Sequence, residues 1–265
     1  MTIWHDIREM VTEQVHYRDL LVQMVKRDLM LRYKQTFMGA AWAVFMPLVN
    51  TAIFTVVFTR VAPIDVGMPY PVFAYCGLVA WNLFASSLKF SITSLTSNMA
   101  LVTKVYFPRE IFPVSAVLTC LVDFCVANVV LVLLMLFYGI APTPMLVFLP
   151  VVLLVHLTFT TGMCLLIAMA NLFYRDVKYL FEVVLMVWMF ATSVLYPVSL
   201  IGGKTGLVMR MNPMTPIVEG YRAVVLTGEN PFTPAFGAAT LVALLAFGVA
   251  WVVFHRAEYT FAENV

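Results

Sequence analysis

The chain has 265 residues, of which 62% are hydrophobic and 11% charged, with a formal net charge of +2 and a mean hydropathy of +0.93. A water-soluble domain of this length carries roughly a quarter charged residues, so this chain has too little polar surface to cover a soluble globule. The composition predicts an integral membrane protein. The four cysteines lie in apolar runs without the spacing of a disulfide framework or a Cys-x-x-Cys motif, and we expect them to be buried.

Residues 25–47 form a stretch that begins charged and becomes apolar without a break. Val22, Val25, Leu29 and Tyr33 recur at i, i+3, i+7 and i+11, which is the spacing of a helix with one apolar side. The pattern predicts an amphipathic helix that lies on the cytoplasmic membrane surface and then enters the bilayer. The alternative is a solvated helix that precedes a membrane span.

Six stretches are long and apolar enough to cross a membrane, each with about 20 mostly apolar residues. They are residues 37–59, 72–88, 111–138, 145–173, 177–199 and 235–254. Lipid offers backbone amides no partner, and the stretches lack the alternation of barrel strands, so they must be helices. The sequence therefore predicts an all-α membrane protein with six transmembrane helices.

The distribution of basic residues predicts the orientation. With residues 1–36 in the cytoplasm, a six-span domain over residues 37–255 returns residues 256–265 to the cytoplasm. Twelve of the 16 lysines and arginines then lie in cytoplasmic segments and four lie outside. This imbalance agrees with the positive-inside rule.

Two connections are longer than hairpin turns need. On the inside, residues 98–106 can form a short helix, which Pro108 separates from the next span, as suits docking to a soluble partner. The alternative is an ordinary interfacial loop. On the outside, residues 200–234 are too apolar for a free linker, and we expect short helices that dip back towards the membrane. The sequence shows no internal repeat, which favours a single domain.

The sequence offers no catalytic or metal-binding motif. Gly202 to Thr205 resemble the end of a phosphate-binding loop, but the motif requires glycine where Val198 stands. His156 lies in a span with no carboxylate or cysteine at metal-ligand spacing, which favours a histidine hydrogen-bonded between helices. We therefore expect no enzyme activity, no catalytic residue, no metal and no cofactor bound by this chain.

Among the polar residues within the predicted spans, Asp123, His156 and Glu182 are candidate functional residues. An ionised carboxylate at mid-span costs roughly 2.5–3.5 kcal/mol, so Asp123 must face the bundle interior or a cavity. Either it is hydrogen-bonded and ties two helices together, with Asn128 nearby, or it has a functional role. Glu182 could pair with Arg175 or Lys178, and its spacing favours a static i, i+4 pair with Lys178.

Several segments resemble a known family when they are taken together. They are RDLMLRYKQTFMGAAWAVFMPL (27–48), YPVFAYCGLVAWNLFASSL (70–88), NMALVTKVYFPREIFPVSAVL (98–118), LVDF (121–124), NLFYRDVKYL (171–180) and NPMTPIVEGYR (212–222). In this order and with this hydropathy the chain resembles the membrane subunit of ABC-type polysaccharide exporters, which include O-antigen, capsule and teichoic-acid permeases.

The resemblance implies a homodimer in the bacterial cytoplasmic (inner) membrane, with both termini of each chain in the cytoplasm. Two copies of a separate ATPase subunit, which hold the ATP and Mg²⁺, would dock from the cytoplasm. The substrate would be a polysaccharide linked to undecaprenyl pyrophosphate, and no nucleic acid is expected. Arg27, Arg32, Lys34 and Arg175 lie on the side where they could meet the phosphates of the carrier or of membrane lipid.

The resemblance also implies roles for particular segments. An interface helix would cover residues 18–35, with Arg27, Arg32, Tyr33 and Lys34. The ATPase-coupling helix would lie within residues 98–107 and include Asn98, Leu101, Thr103, Lys104, Val105, Tyr106 and Phe107. Two short helices within residues 200–229 would gate the outer mouth, with Tyr196, Asn212, Glu219 and Arg222 as candidate gate residues. Glu219 and Arg222 are three positions apart, which favours a structural salt bridge over direct contact with sugar.

Other functional classes stay open at this point. A drug- or lipid-exporting ABC permease would share the topology and the ATPase. An ion-coupled secondary transporter would need more polar sites at mid-depth and usually inverted repeats. A membrane enzyme would require a paired acid and base, for which only Asp123 and His156 are available if they meet in space.

Overall fold

The computed structural model describes residue 12 and residues 14–34, 39–104 and 107–261. Every regular element in these ranges is helical. In chain order the α-helices are α1 (Arg18–Tyr33), α2 (Trp42–Val56), α3 (Tyr70–Ile92), α4 (Met99–Lys104), α5 (Ile111–Phe137), α6 (Leu149–Phe173), α7 (Val177–Phe190), α8 (Gly203–Met211), α9 (Met214–Arg222) and α10 (Pro234–Phe261).

Five helical stretches of the described residues are long and apolar enough to cross a membrane. They are Trp42–Val61, Tyr70–Ile92, Ile111–Phe137, Pro144–Phe173 and Pro234–Glu258. The first includes a π-helical turn after α2, and the fourth includes a 3₁₀ turn before α6. The chain is thus a multi-pass helical membrane protein.

Helix α3 occupies the centre of the bundle, where it packs against α2, α5, α6, α7 and α9. Of the residues in its membrane-spanning part, 83% are buried inside the protein. In the stretch that contains α2 only 11% are buried, so that stretch faces outwards. Close packing elsewhere depends on glycine: a Cβ at Gly162 of α6 would lie 2.8 Å from the Cα of Phe247 on α10. Small residues allow helices in a membrane to approach in this way.

The two ends of α3 define two ends of the bundle. At its last turn, the Asn171 side chain at the end of α6 donates a hydrogen bond to the Ile92 carbonyl at 2.8 Å, and α1 and α4 lie nearby. We name this the proximal end. At its first turn, the Tyr70 hydroxyl donates to the Leu195 carbonyl at 2.9 Å, near α9. We name this the distal end.

The fifth predicted stretch, residues 177–199, differs from the structure, since α7 ends at Phe190. Its 14 residues extend about 21 Å, which is short of a hydrocarbon core of about 30 Å. The chain leaves the helix here because the side chains of Asn212 and Arg222 donate hydrogen bonds to the backbone carbonyls of Ala191, Ser193 and Val194. The hydropathy of a segment does not show that side chains from distant residues will bond its backbone carbonyls and end the helix.

The short helices were predicted in the right places. Helix α1, for which we keep the name interface helix from its expected role, ends at Tyr33, whereas the prediction extended it to residue 35, which lies outside the described residues. Helix α4 lies within residues 98–107, and α8 and α9 lie within residues 200–229. The expectation for the cysteines was wrong at Cys125, which is exposed on α5.

Candidate functional site

At the proximal end, Asp123 of α5 joins the interface helix to the bundle. The Arg32 guanidinium donates to one oxygen of its carboxylate, and the Tyr33 hydroxyl donates to the other. The Arg32 Cζ also lies 3.7 Å from the centre of the Phe90 ring on α3. Burial and the hydrogen bond to Asp123 raise the pKa of Tyr33 to about 12. Asp123 therefore ties two helices together, and Asn128 instead donates to the Phe124 carbonyl of its own helix.

A cavity of about 370 Å³ opens beside this cluster. Its walls come from α2, α3 and α5 as well as the end of α1, and they include Trp42, Asn50, Asn82, Arg32 and Asp123. A volume of this size lies within the range of small-molecule pockets, and a few amides in an apolar wall are typical of such pockets. The arrangement offers hydrogen bonds to a ligand that is partly apolar.

A second link joins the interface helix to the segment before α4. Arg27 donates to the Asn98 side-chain oxygen at 2.9 Å and pairs with its neighbour Asp28 at 2.8 Å. Asn98 in turn donates to the Ser94 carbonyl at 2.8 Å, and Asp28 accepts from Ser115 of α5 at 3.2 Å. The interface helix, the turn before α4 and α5 therefore form one hydrogen-bonded unit.

The other residues expected at the coupling helix fall into two groups. Leu101 is half-buried, and Phe107 is buried against Phe112 with ring centres 5.4 Å apart. The side chains of Thr103 and Lys104, and the whole of Val105 and Tyr106, lie outside the described residues. Lys34, expected on the interface helix, is exposed.

At the distal end, Asn212 caps the end of α7. Its side chain accepts a hydrogen bond from the Trp188 indole at 3.0 Å and donates to the Ala191 carbonyl at 3.1 Å and the Thr192 hydroxyl at 2.8 Å. The Tyr196 hydroxyl donates to the Phe190 carbonyl. Two of the four residues expected at the outer gate thus meet at the point where α7 unwinds.

Arg222 of α9 is buried and binds backbone carbonyls in the unwound segment. Its guanidinium donates to the Ser193 and Val194 carbonyls, both at 2.5 Å, and its Cζ lies 3.6 Å from the centre of the Phe73 ring. A Cβ at Gly77 would lie 2.4 Å from Nη2 of this arginine, so only glycine fits there. The negative end of the α7 dipole favours a cation in this position.

The expected salt bridge between Glu219 and Arg222 was wrong. Among the described residues, no ion pair within 4.0 Å joins them, because the guanidinium is directed at the carbonyls that α7 releases. Burial raises the pKa of Glu219, and the positive charge of Arg222 opposes that rise. Lys178 and Glu182 likewise form no described ion pair; Lys178 Nζ lies 4.7 Å from the Tyr179 ring centre, and Glu182 is exposed.

His156 lies at the contact between α6 and α9. Its Nδ1 is 3.2 Å from the Tyr221 hydroxyl, and both side chains are buried. Asp123 and His156 therefore have different partners and form no acid–base pair. Within the described residues, His156 is a histidine that joins two helices, as its sequence context favoured.

The sequence pattern of the ABC-2 type transporter family matches residues 19–226, from the interface helix to the end of α9 and the turn that follows it. The chain belongs to this family. It is similar to the O-antigen export system permease protein RfbA of Myxococcus xanthus, with 31% identity over 97% of this chain and 99% of the relative. It is also similar to an O-antigen export system permease protein RfbA of Klebsiella pneumoniae, with 28% identity over 92% and 94% of the two chains.

In this ABC-2 transporter chain, one polar cluster was missed by the sequence analysis. Arg109 and Glu110, which precede α5, meet His255 and Glu258 near the end of α10. The spacing of His255 and Glu258 at i, i+3 was a signal that could have been used, because it places both side chains on one face of a helix. Their partners, Arg109 and Glu110, lie about 150 positions earlier in the chain, so no local sequence pattern reveals these contacts.

Proposed function

We propose that this chain is the membrane-spanning subunit of an ATP-driven exporter that moves a lipid-linked polysaccharide of the O-antigen type out of the cytoplasm. One observation supports it above the others: relatives named as O-antigen export permeases match the chain over nearly its whole length. The substrate is proposed to be carried on undecaprenyl pyrophosphate in the bacterial inner membrane.

The proposal includes six crossings, with residues 177–199 as the fifth. Two hydrogen bonds support this count. The end of α6, just before α7, is bonded to the last turn of α3 through Asn171, and Leu195, just after α7, is bonded to the first turn of α3 through Tyr70. The segment between them thus extends along the whole of α3, and its unwound part is covered by protein, as a membrane requires. An even count returns both termini to the cytoplasm.

The proposed assembly contains two copies of this chain and two copies of an ATPase subunit that binds ATP and Mg²⁺. The ATPase would dock at α4, which lies at the proximal end between the second and third spans. Helix α7 presents exposed apolar side chains, including Leu180, Val183 and Val187, which either lipid or the second copy would cover. Among the cations at the proximal end, Lys34 and Arg175 are exposed and able to meet carrier phosphates, whereas Arg27 and Arg32 are paired with carboxylates.

In the proposed mechanism, closure of the ATPase pair pushes on α4. The movement of α4 is transmitted to the interface helix through the hydrogen bond between Arg27 and Asn98. From the interface helix it is transmitted to α5 through the ion pair of Arg32 with Asp123. The subunits then rock and admit the carrier lipid from the membrane, and α8 and α9 open the distal mouth. The residues at the unwound end of α7, Tyr196, Asn212 and Arg222, hold that mouth closed until the push arrives.

Deletion of the gene in its own bacterium tests the function. We expect carrier-linked polymer to accumulate on the cytoplasmic face and surface polysaccharide to disappear, with both restored by the wild-type gene on a plasmid. Unchanged surface polysaccharide in the deletion strain would contradict the proposal.

Substitution of Asn98 tests the coupling. We expect Asn98→Ala to lower export while ATP hydrolysis by the assembled transporter continues, because the link to Arg27 is removed. Ser97→Ala is the matched control, since Ser97 is exposed. Normal export by the Asn98 variant would show that the push follows another route.

A further inference from the structure

Three potential metal ligands converge where α10 ends beside the start of α5. His255 Nδ1 lies 3.4 Å from Glu110 Oε1 and 3.7 Å from Glu258 Oε2. One ligand atom from each of the three residues lies within 4.8 Å of the others. The three residues are 2–9% exposed, so water does little to stabilise their charges.

With a neutral His255, the cluster of Arg109, Glu110 and Glu258 carries one negative charge that has no compensating group. Arg109 donates its main-chain N–H and its Nη1 to Glu258 Oε1, at 3.1 and 3.0 Å, which compensates one carboxylate. These bonds leave Glu258 Oε2 on the side of His255. Glu110 Oε2 is buried and has no hydrogen-bond partner. An uncompensated buried carboxylate is costly, so this position calls for either a proton or a bound cation.

The distances favour a bound ion over direct hydrogen bonds. Separations of 3.4 and 3.7 Å exceed the usual N–H···O range of about 2.7–3.2 Å. Ligand atoms placed tetrahedrally at about 2.0–2.1 Å from Zn²⁺ are about 3.3 Å from one another. The separations from His255 to the two carboxylates are therefore close to those expected around a single metal ion.

We propose that Glu110, His255 and Glu258 bind a divalent first-row transition-metal ion of the Zn²⁺ type. One imidazole and two carboxylates form a ligand set that suits such an ion, and the fourth position is left for water. Arg109 fixes the orientation of Glu258, as residues that hydrogen-bond to metal ligands commonly do. The site is separate from the cluster around Asp123 and is independent of the substrate that the protein exports.

Because of its position, a metal ion bound at this site would also affect the structure of the proximal end. The Arg109 side chain also donates to the Val102 carbonyl of α4, at 3.3 and 3.4 Å from its two nitrogens. An ion bound here would fasten the end of α10 to the connection between α4 and α5. Metal binding would thus stiffen the part of the protein that lies next to α4.

Zn²⁺ binding to the purified full-length chain tests the proposal. After removal of metal with a chelator, the detergent-solubilised protein is titrated with Zn²⁺, and bound metal is measured by equilibrium dialysis. We expect one ion per chain, with an affinity at least about 100-fold lower in His255→Gln and in Glu110→Gln. His16→Gln is the matched control, because His16 is exposed on the N-terminal side of α1, and its affinity should equal that of the wild type.

A second variant separates a metal site from an imidazolium that merely neutralises the carboxylates. His255→Cys removes any imidazolium but supplies a thiolate ligand, so it should bind Zn²⁺ within about 10-fold of the wild type, and Zn²⁺ should raise its Tm. If the Gln variants fail to fold, the same comparison is made between the wild type and the Cys variant. Wild-type affinity no higher than that of a folded Gln variant, or loss of binding in a folded Cys variant, would overturn the proposal.

Discussion

Arg32 and Arg222 hold opposite ends of the same helix in different ways. Each guanidinium lies over a phenylalanine ring of α3, at 3.7 Å from Phe90 and 3.6 Å from Phe73. The two rings are about 25 Å apart along the helix. Arg32 is partly exposed and is neutralised by Asp123, whereas Arg222 is buried and is bound by backbone carbonyls.

The difference shows what each arginine can stabilise. An ion pair joins two side chains, so Arg32 fixes the position of a helix that is already formed. Hydrogen bonds to carbonyls satisfy backbone groups that would otherwise be unpaired in an apolar bundle, so Arg222 stabilises a break in a helix. Four predictions test this contrast, in order of decreasing effect.

The largest effect is expected for Arg222→Ala. The two short hydrogen bonds from the guanidinium to the Ser193 and Val194 carbonyls are lost, so we expect the free energy of unfolding to fall by roughly 3–6 kcal/mol. The measurement is the unfolding of the purified protein in mixed micelles on titration with SDS. Arg210→Ala, at an exposed position of α8, is the control and should have little effect. Equal stability of the two variants would refute the role of Arg222.

Gly77→Ala tests the same site from the α3 side. The added Cβ would lie 2.4 Å from Arg222 Nη2 and 2.5 Å from the Val194 carbonyl oxygen, so the arginine must move. We expect a loss of about 1–3 kcal/mol in the same assay. At Gly248 a Cβ meets nothing within 4 Å, and Gly248→Ala should therefore leave stability almost unchanged.

The ion pair at the proximal end is tested by a double-mutant cycle of Arg32→Gln and Asp123→Asn. Because the two side chains interact directly, the double variant should lose less stability than the sum of the single variants, with a coupling energy of about 0.5–3 kcal/mol. Additive effects would mean that the pair contributes nothing beyond its separate side chains.

The last prediction compares the two phenylalanine rings, and the smallest effect is expected for Phe90. Phe73 is buried and Phe90 is 45% exposed, and cation–π attraction is stronger where water is excluded. Phe73→Leu should cost about 2 kcal/mol and Phe90→Leu about 0.5–1 kcal/mol. As a control, Phe73→Leu should cost less when introduced into Arg222→Ala. A larger cost at Phe90 would reverse the comparison between the two ends.

The features that could be predicted from the sequence were those that depend on the surrounding lipid. Apolar runs predicted the spans that α2, α3, α5, α6 and α10 form, and Pro108 with the preceding residues predicted α4. The sequence also identified Asp123 as a carboxylate that must be satisfied within the bundle. These inferences succeeded because a side chain in a bilayer must suit the hydrocarbon around it, whichever neighbours it has.

Only the tertiary structure decided the partners of the polar groups. Asp123 meets an arginine 91 positions earlier, Arg222 meets carbonyls 28 and 29 positions earlier, and Arg109 meets Glu258 149 positions later. Those contacts determine that α7 ends at Phe190, and they assemble Glu110, His255 and Glu258 into one cluster. Hydropathy is a property of each segment alone, whereas a buried hydrogen bond requires two segments to approach with matching geometry.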